Sequence, residues 1–510
     1  MYIVPKAKAV LLKPDNPGAV LSVIPTAKMM DDFVAIPHDI EETTALNKIG
    51  ISVPSPIRYY YEWAGRFKPY SHQIDTASFL TLHKRAIVLN EIGTGKTKSA
   101  LWAADYLMSE GVVKRVLIIS PLSTLERVWG DELFTGFPDR TFAVLHGTAE
   151  KRKRLLALDY DFYVINHDGF PIIAKDAIGK FDLVIVDEAA VLRNPTTNRF
   201  RMVKKWFDKN PDCRLWLMTG TPTPNSPLDA WALAKLLGNN VGTYTRFKEQ
   251  VMYKVGQWTW LPKDDAVERV KHILTPAVRF SRDECLDLPD TVIQTRSVEL
   301  TAEQKRHYQN MMKHFIAEAA TGVITAANEA VKAQKLVQIA CGVVYDDDKD
   351  PVELDCAPRL NIVKEVIEEA GGKVIVFAPL TSALNMLYRE LSKDYTCEMV
   401  YGAVSASERN RIFNEFQNTE NPKVLLAHPA TMAHGLTLTT ARAIVWYGPI
   451  TSNEIYTQAN GRTERIGKRH VTSVVHIEGT KLEKHMYERL KGKQQMQGIL
   501  LDLIKEETHG

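Results

Sequence analysis

The 510-residue sequence has few cysteines, no long apolar run and no excess of charge of one sign. Its five cysteines lack CxxC spacing, which argues against a disulfide framework or a structural zinc site. The formal net charge is only +3, so any nucleic acid must be held by a local groove or by backbone amides. Arg442 interrupts the best apolar stretch, and the N-terminus lacks a signal-peptide core. We therefore expect a water-soluble, cytoplasmic protein without membrane contact.

Two blocks of short, β-rich apolar runs alternate with helical periodicity. Such runs, each followed by turn residues and a helix, predict parallel sheets covered by helices on both faces. The runs lie at 86–89, 115–120, 161–166, 182–188 and 214–220, and then at 373–379, 423–429, 442–448 and 472–479. The sequence therefore predicts an α/β fold with two lobes, joined by a mostly helical stretch at about 226–370.

Residues 1–65 precede the first block and are predicted to form a small separate module. Turn residues at 13–18 and 53–56 punctuate this segment, and Asp39 has the position of a helix N-cap. We expect the first lobe at 66–290, linker helices with the second lobe at 291–495, and a C-terminal tail at 496–510.

The strongest functional signal is the sequence NEIGTGKT at 90–97, which follows a predicted strand and precedes a predicted helix. In a phosphate-binding loop, glycines let backbone N–H groups surround a phosphate, Lys96 neutralises its oxygens and the Thr97 hydroxyl ligates Mg²⁺. Asn90 replaces the first glycine of the GxxxxGK[ST] pattern. The predicted nucleotide-binding residues of this loop are Asn90, Glu91, Ile92, Gly93, Thr94, Gly95, Lys96 and Thr97.

Asp187 and Glu188 follow the apolar run that begins at 182. A carboxylate at the carboxyl end of a strand can hold Mg²⁺ through water, and the adjacent glutamate can deprotonate an attacking water. Alone, such a pair is more often a helix cap. Together with the upstream loop it predicts an ATPase that uses ATP and Mg²⁺.

Three further sequences resemble the motifs of superfamily-two helicases, and among these most closely the Swi/Snf-type DNA translocases. They are DEAA at 187–190, TGTPTPNSPLDAWAL at 219–233 and QANGRTERIGKRH at 458–470. Matching motifs follow one another in the family's order over about 66–495. The resemblance implies two RecA-like lobes with the ATP site between them, and DNA as partner.

The resemblance also assigns residues that contact ATP. Gln73 occupies the place of a glutamine that reads the adenine edge, since an amide both donates and accepts; the alternative is an ordinary helix-surface glutamine. Arg462 and Arg465 lie three residues apart, on one side of a helix, and would reach the γ-phosphate as an arginine finger does. The alternative for both is a solvated basic face.

Residues that contact nucleic acid are less clearly indicated. Ser123 and Thr124 follow a strand and open a helix, where hydroxyls and free N–H groups can hold a backbone phosphate. Equivalent strand ends of the two lobes carry Asn166 in the first lobe and His434 with Gly435 in the second. Residues at such positions are helix N-caps about as often as they are DNA contacts. His434 also departs from the glycine-rich loop of the family.

Thr219, Gly220 and Thr221 lie where the family links ATP state to lobe closure. The alternative is a tight strand-to-helix turn.

The resemblance implies an ATP-dependent DNA translocase or helicase that acts on duplex or branched DNA. The chain is short for this family, which suggests a minimal bacterial or phage enzyme of replication or repair. Because nothing in it resembles the subunit interface of a ring ATPase, we expect a monomer. One alternative is a strand-separating superfamily-two helicase on DNA or RNA. Another is an ATP-dependent clamp that displaces or recruits a protein through residues 1–65. An exposed apolar patch on that module would favour recruitment, and a basic stripe between the lobes would favour translocation.

Overall fold

The computed structural model describes residues 1–65, 68–91, 93–220, 222–223, 226–255, 260–285, 292–320, 326–345, 350–432, 438–463 and 472–492. The chain forms two compact units, Met1–Cys285 and Leu286–Gly510. Each unit contains one parallel sheet covered by helices, which confirms the predicted α/β class with two lobes. The domain boundaries at 65, 290 and 495 stay predictions.

The first unit begins with a four-stranded antiparallel sheet of order β1-β2-β4-β3. Alternation along the strands buries Val10, Leu12, Val34 and Ile36 in a small core of their own. The predicted cap is confirmed, because the Glu42 amide donates to Asp39 Oδ1 at 3.0 Å. The elements are β1 (Tyr2–Val4), β2 (Ala9–Leu12), α1 (Pro17–Val23), β3 (Lys28–Met30), β4 (Phe33–Pro37), α2 (Ile40–Lys48) and α3 (Ile57–Tyr60).

A seven-stranded parallel sheet of order β13-β5-β10-β9-β6-β8-β7 forms the rest of the first unit. Its strands are β5 (Arg85–Val88), β6 (Val116–Ser120), β7 (Phe142–Val144), β8 (Phe162–Asn166), β9 (Leu183–Asp187), β10 (Arg214–Met218) and β13 (Ala277–Val278). Its helices are α4 (Ser71–Leu82), α5 (Lys96–Ser109), α6 (Asp131–Gly136), α7 (Ala149–Leu156), α8 (Phe170–Ile173), α9 (Asn198–Lys209), α10 (Ala230–Leu237), α11 (Tyr244–Val251), α12 (Ala266–Ile273) and α13 (Arg282–Cys285). An antiparallel pair, β11 (Met252–Lys254) and β12 (Trp260–Pro262), lies between α11 and α12.

The register of three neighbouring strands places three sequence motifs at one edge of this sheet. Val88 of β5 pairs with Met218 of β10, and Met218 pairs with Asp187 of β9. The strands are parallel, so the chain leaves all three in the same direction. The phosphate-binding loop, the Thr219 turn and Glu188 therefore emerge side by side.

The second unit contains a six-stranded parallel sheet of order β14-β21-β20-β17-β19-β18. Its strands are β14 (Val292–Ser297), β17 (Lys373–Phe377), β18 (Cys397–Val400), β19 (Val424–Ala427), β20 (Ala441–Trp446) and β21 (Ser473–Glu478). Its helices are α14 (Ala302–Ala320), α15 (Ala326–Ala340), α16 (Ala357–Glu369), α17 (Thr381–Leu391), α18 (Ala406–Asn418), α19 (Asn453–Asn460) and α20 (Lys481–Lys491). A short antiparallel pair, β15 (Val343–Tyr345) and β16 (Pro351–Glu353), precedes α16.

All nine apolar runs predicted as strands are strands in these two sheets. The five cysteines are free thiols, of which Cys213, Cys341 and Cys356 are buried. Among the described residues, no helix is both long and apolar enough to cross a membrane.

Candidate active site

The phosphate-binding loop connects β5 to α5 and relies on two glycines. Gly93 and Gly95 have φ angles of +89° and +80°, a left-handed conformation that L side chains rarely adopt. A Cβ atom on Gly95 would lie 2.1 Å from Gln73 Nε2. Helix α5 starts at Lys96 without a side-chain cap and without an acidic residue in its first turn. Its first backbone N–H groups are thus suited to an anion such as a phosphate.

The Lys96 ammonium lies inside the loop. Its Nζ donates to the backbone oxygens of Asn90 at 2.8 Å and of Glu91 at 3.1 Å. These contacts direct the positive charge toward the start of the loop, next to the α5 N-terminus. Thr97 is in the first turn of the same helix, whereas Ile92 lies outside the described residues.

Gln73 is buried against this loop rather than exposed on the helix surface. It is 5% exposed, its Nε2 donates to the Thr94 oxygen at 3.2 Å, and its Oε1 accepts from the Tyr70 amide at 3.1 Å. His72, which the sequence analysis did not single out, has Nε2 at 2.9 Å from the same Thr94 oxygen. Its ring stacks on that of Tyr70 with centroids 5.9 Å apart. The role of Gln73 in reading adenine stays a prediction.

Asp187 and Glu188 lie where β9 ends. Trp129 Nε1 donates to Asp187 Oδ2 at 3.1 Å, the Glu188 amide donates to Oδ1 at 3.1 Å, and His167 Nε2 lies 2.9 Å from the Asp187 backbone oxygen. Glu188 has a φ angle of +49°, which is uncommon for a residue with a side chain. The chain therefore turns sharply here, directly after the last residue of the strand.

The electrostatics at this turn suit a divalent cation. Burial and, to a lesser extent, the nearby Glu188 carboxylate raise the pKa of Asp187 to about 6, and the Trp129 hydrogen bond and the Lys96 charge oppose this shift. Two carboxylates side by side repel each other, and a cation would relieve that repulsion. The hydroxyl of Thr97 and the carboxylate of Asp187 are hard oxygen ligands of the kind that Mg²⁺ prefers. The donor set therefore fits Mg²⁺.

Arg462 in the second unit is buried, so it does not belong to a solvated basic face. It is 6% exposed, its Nε donates to the Met432 oxygen at 2.9 Å, and its backbone oxygen accepts from the Leu438 amide at 2.9 Å. Asn460, at the end of the preceding helix α19, accepts from Trp446 Nε1 at 2.9 Å. Arg465 lies outside the described residues, and so do His434 and Gly435.

The remaining predicted residues differ in exposure. Ser123 is exposed, while Thr124 is buried and its hydroxyl donates to the Pro121 oxygen at 2.9 Å. Asn166 accepts at Oδ1 from the largely buried Arg152 at 3.0 Å, a partner that the sequence analysis did not identify.

The predicted coupling residues follow β10. Thr219 is buried and its amide donates to the Val88 oxygen at 3.0 Å, which joins the turn after β10 to the strand that leads into the phosphate-binding loop. Gly220 is partly exposed, and Thr221 lies outside the described residues.

Comparison with known proteins gives two family matches. A model of the SNF2-related domain matches residues 72–341, and a model of the helicase conserved C-terminal domain matches residues 358–467. The solved core of the Sulfolobus solfataricus SWI2/SNF2 ATPase in complex with dsDNA is 22% identical, with a TM-score of 0.41, and the match covers 85% of this chain and 92% of that one.

Three relatives illustrate the range of similarity. Putative protein p41 of Acyrthosiphon pisum secondary endosymbiont phage 1 is 26% identical over 86% of this chain and 99% of its own length. The uncharacterized ATP-dependent helicase MG018 of Mycoplasma genitalium is 25% identical over 77% of this chain, and the ISWI chromatin-remodeling complex ATPase ISW1 of Saccharomyces cerevisiae is 23% identical over 86%. This chain spans only 38% and 41% of the lengths of those two proteins. Because the SNF2-related match covers more than half of the chain, the protein belongs to the SNF2-related family and is an ATP-hydrolysing helicase or translocase of the Swi/Snf type.

Proposed function

We propose that the protein hydrolyses ATP between its two parallel-sheet lobes and uses this cycle to move along, or remodel, duplex or branched DNA. The observation that carries the proposal is the paired register of Val88, Met218 and Asp187. It brings the phosphate-binding loop and the Asp187-Glu188 turn to one edge of the first sheet. Binding and hydrolysis of a nucleoside triphosphate need both.

In this proposal the first lobe binds the nucleotide. The N–H groups at the start of α5 and the Lys96 ammonium hold the phosphates, while Gln73 faces the base. Thr97 and Asp187 hold Mg²⁺, partly through water; when bound, the ion neutralises charge on the phosphate oxygens.

Hydrolysis then requires a positioned water. Glu188 accepts a proton from this water while the water oxygen forms a bond to the γ-phosphorus. The bond between the γ-phosphorus and the oxygen that bridges to the β-phosphate breaks in the same step. Arg462 and Arg465 of the second lobe stabilise the charge that develops on the transferring group. The turn after β10 couples the nucleotide state of the site to lobe closure through Thr219, Gly220 and Thr221.

DNA is proposed to lie along the loops that leave the carboxyl ends of the strands. Ser123, Thr124 and Asn166 would contact the phosphate backbone from the first lobe, and His434 with Gly435 from the second. Contacts of this kind are independent of sequence, which suits movement along DNA. The names of the relatives, an ATP-dependent helicase and a chromatin-remodelling ATPase, support this partner. The phage relative supports a role in a phage-infected host, where we propose that the protein acts as a monomer in replication or repair.

One observation favours a second candidate, the clamp that recruits a protein. Tyr2 and Met30 of the N-terminal sheet are 65% and 58% exposed. Phe33 pairs with Met30 in the sheet and contacts the Tyr2 ring edge to face, at 6.1 Å between centroids. Exposed apolar side chains grouped in this way are typical of protein-binding surfaces.

Steady-state ATP hydrolysis with no nucleic acid, single-stranded DNA, duplex DNA, a fork and RNA tests the proposal. We expect duplex or fork DNA to stimulate hydrolysis, Lys96→Ala and Glu188→Gln to abolish it, and removal of Mg²⁺ with EDTA to do the same. Lys98→Ala is the matched control, because Lys98 is on the same helix but pairs with Glu132 at 3.5 Å near the surface.

The alternatives predict other outcomes. Stimulation by single strands or RNA, with release of a displaced strand, would favour the strand-separating helicase. A hydrolysis rate that no nucleic acid changes would overturn the translocase proposal. It would favour the clamp, which binds a protein through the N-terminal sheet.

A further inference from the structure

The segment with which the first unit ends pairs with the start of the phosphate-binding loop. Strand β13 lies beside β5, and the Leu89 amide donates to the Val278 oxygen at 2.8 Å. The pairing continues into the loop, where the Glu91 amide donates to the Phe280 oxygen at 3.0 Å. Only a few residues later, at Cys285, the first unit ends. The loop thus contacts the stretch through which the chain leaves this unit.

The side chain of Asn90 completes this pairing. Its Oδ1 accepts from the Phe280 amide at 3.0 Å, and its Nδ2 donates to Thr76 Oγ1 at 2.8 Å. The Thr76 hydroxyl donates its own hydrogen to the His72 oxygen at 2.7 Å, so towards Asn90 it can only accept. A side chain at position 90 must therefore accept on one side and donate on the other. An amide does both, whereas glycine, the usual residue of the loop pattern here, does neither.

The same two residues contact Lys96 through their backbones. Asn90 and Glu91 offer their carbonyl oxygens to the Lys96 ammonium while the Asn90 side chain and the Glu91 amide hold Phe280. In the proposed ATPase, Lys96 turns toward phosphate oxygens when nucleotide binds. The peptide group between Asn90 and Glu91, whose N–H donates to Phe280, then loses a cation from its carbonyl oxygen.

A second contact links the same parts. The His72 ring lies 6.0 Å from the Phe280 ring between centroids, and His72 Nε2 lies 2.9 Å from the Thr94 oxygen. The loop is therefore held to α4 at Asn90 and at Thr94, and Asn90 and His72 connect it to Phe280. Asn90 is 1% exposed and Thr76 is fully buried, so water does not compete for these hydrogen bonds.

We infer that Asn90 and Thr76 form a positioning pair that transmits the occupancy of the phosphate site to residues 277–285, the last segment of the first unit. The inference rests on the proposed function, because it needs a nucleotide at Lys96. Asn90 acts here through its side-chain amide on Phe280, separately from the contact with nucleotide that is predicted for the loop.

Hydrogen exchange of backbone amides, measured by mass spectrometry on the full chain with and without Mg²⁺ and ADP, tests the inference. We expect nucleotide to speed exchange in peptides that cover 277–285, by up to about fivefold, the factor that one net hydrogen bond contributes, because the Glu91 amide is a weaker donor once the cation has left its peptide group. Thr76→Val should abolish this nucleotide-dependent change, although the variant binds a fluorescent ADP analogue as wild type does. Thr76→Ser, which keeps the hydroxyl, should restore it.

Thr81→Val is the matched control. Thr81 is also fully buried in α4, but its hydroxyl pairs with Ser55 at 2.8 Å, away from the loop. A merely destabilised helix would affect both valine variants alike. Should Thr76→Val not fold, Asn90→Asp carries the test, because a carboxylate accepts from Phe280 but does not donate to Thr76.

Three outcomes overturn the inference. An unchanged response to nucleotide in Thr76→Val would show that the pair transmits nothing. Absence of any response at 277–285 in wild type, with nucleotide binding intact, would do the same and leave the proposed function standing. Absence of nucleotide binding in wild type would remove the proposed function and the inference with it.

Discussion

The indole Nε1 of Trp129 donates a 3.1 Å hydrogen bond to Oδ2 of Asp187. Trp129 is fully buried, so its position is fixed by packing. With Glu188 donating to the other oxygen, each carboxylate oxygen has one protein donor and keeps a lone pair for another partner. The indole therefore orients a carboxylate that we propose as a ligand of Mg²⁺.

Trp129→Phe should lower the affinity for Mg²⁺ without removing nucleotide binding. Loss of a partner that orients a metal ligand typically costs about 10-fold to 100-fold in metal affinity. We expect the Mg²⁺ concentration for half-maximal ATP hydrolysis to rise by about 10-fold, because the carboxylate loses its donor. Trp102→Phe serves as control, since this buried indole donates to the Ala64 oxygen instead. An equal response in both variants would contradict a role for Trp129 at Asp187.

Gly95→Ala should weaken nucleotide binding, because a Cβ at this position forces the Gln73 amide away from the Thr94 oxygen. The new Cβ would meet Gln73 Nε2 at 2.1 Å, in addition to the strain of a left-handed alanine, which costs roughly 1 to 2 kcal/mol. Gly111, just after the end of α5, has a φ angle of +71° and nothing within 4 Å of such a Cβ. We therefore expect Gly111→Ala to lower stability by a similar amount and to keep nucleotide binding. Equilibrium binding of a fluorescent ATP analogue, with urea unfolding, distinguishes the two effects.

His476 should make the stability of the protein depend on pH. Burial lowers its pKa to about 3, and Lys491 adds to this shift. The ring lies against Tyr487, and Nε2 lies 2.8 Å from the Tyr456 hydroxyl. A lowered histidine pKa gives stability that is present above the unfolded pKa of 6.5 and is lost as pH falls towards 3.

Urea unfolding of the full protein at pH 6.5 and pH 5 measures this dependence. At about 1.4 kcal/mol per pH unit, His476 should contribute about 2 kcal/mol of the loss between these two values. His476→Phe should remove that part of the pH dependence, whereas substitution of the exposed His314 by glutamine should leave it in place. The same loss in His476→Phe as in wild type would assign the pH dependence to other groups.

The sequence predicted the central strands of both sheets but not their edges. The nine predicted runs include every inner strand, because a strand covered by helices on both faces must be a continuous apolar run. Within these two parallel sheets, the pattern missed four strands, β7, β13, β14 and β18, which are the two edges of each sheet. Edge strands are less covered, and β14 is largely exposed along its length, so its sequence shows no such run.

The sequence predicted the parts of the candidate site that are short motifs directly after a strand. It did not predict the contacts between residues that are far apart in the sequence. The loop at 90–97 and the pair at 187–188 each follow an apolar strand, and parallel strands bring such positions to one edge. The partners of these residues follow from tertiary packing instead. Trp129 is 58 residues from Asp187, and Phe280 is 190 residues from Asn90. One sequence carries no pattern that links positions at these separations.

Arg462→Ala should lower the free energy of unfolding as well as the rate of ATP hydrolysis, because the buried guanidinium also makes a hydrogen bond within the second lobe. Its Nε and its backbone oxygen contact Met432 and Leu438, the residues on either side of 433–437. Loss of the side-chain hydrogen bond leaves a buried carbonyl without this donor, which costs about 1 to 3 kcal/mol. Urea unfolding and ATP hydrolysis of Arg462→Ala and of Arg442→Ala, an exposed arginine on β20, measure the two effects. If hydrolysis falls while unfolding stays unchanged, Arg462 acts at the phosphate alone; if only unfolding changes, its proposed contact with the γ-phosphate is wrong.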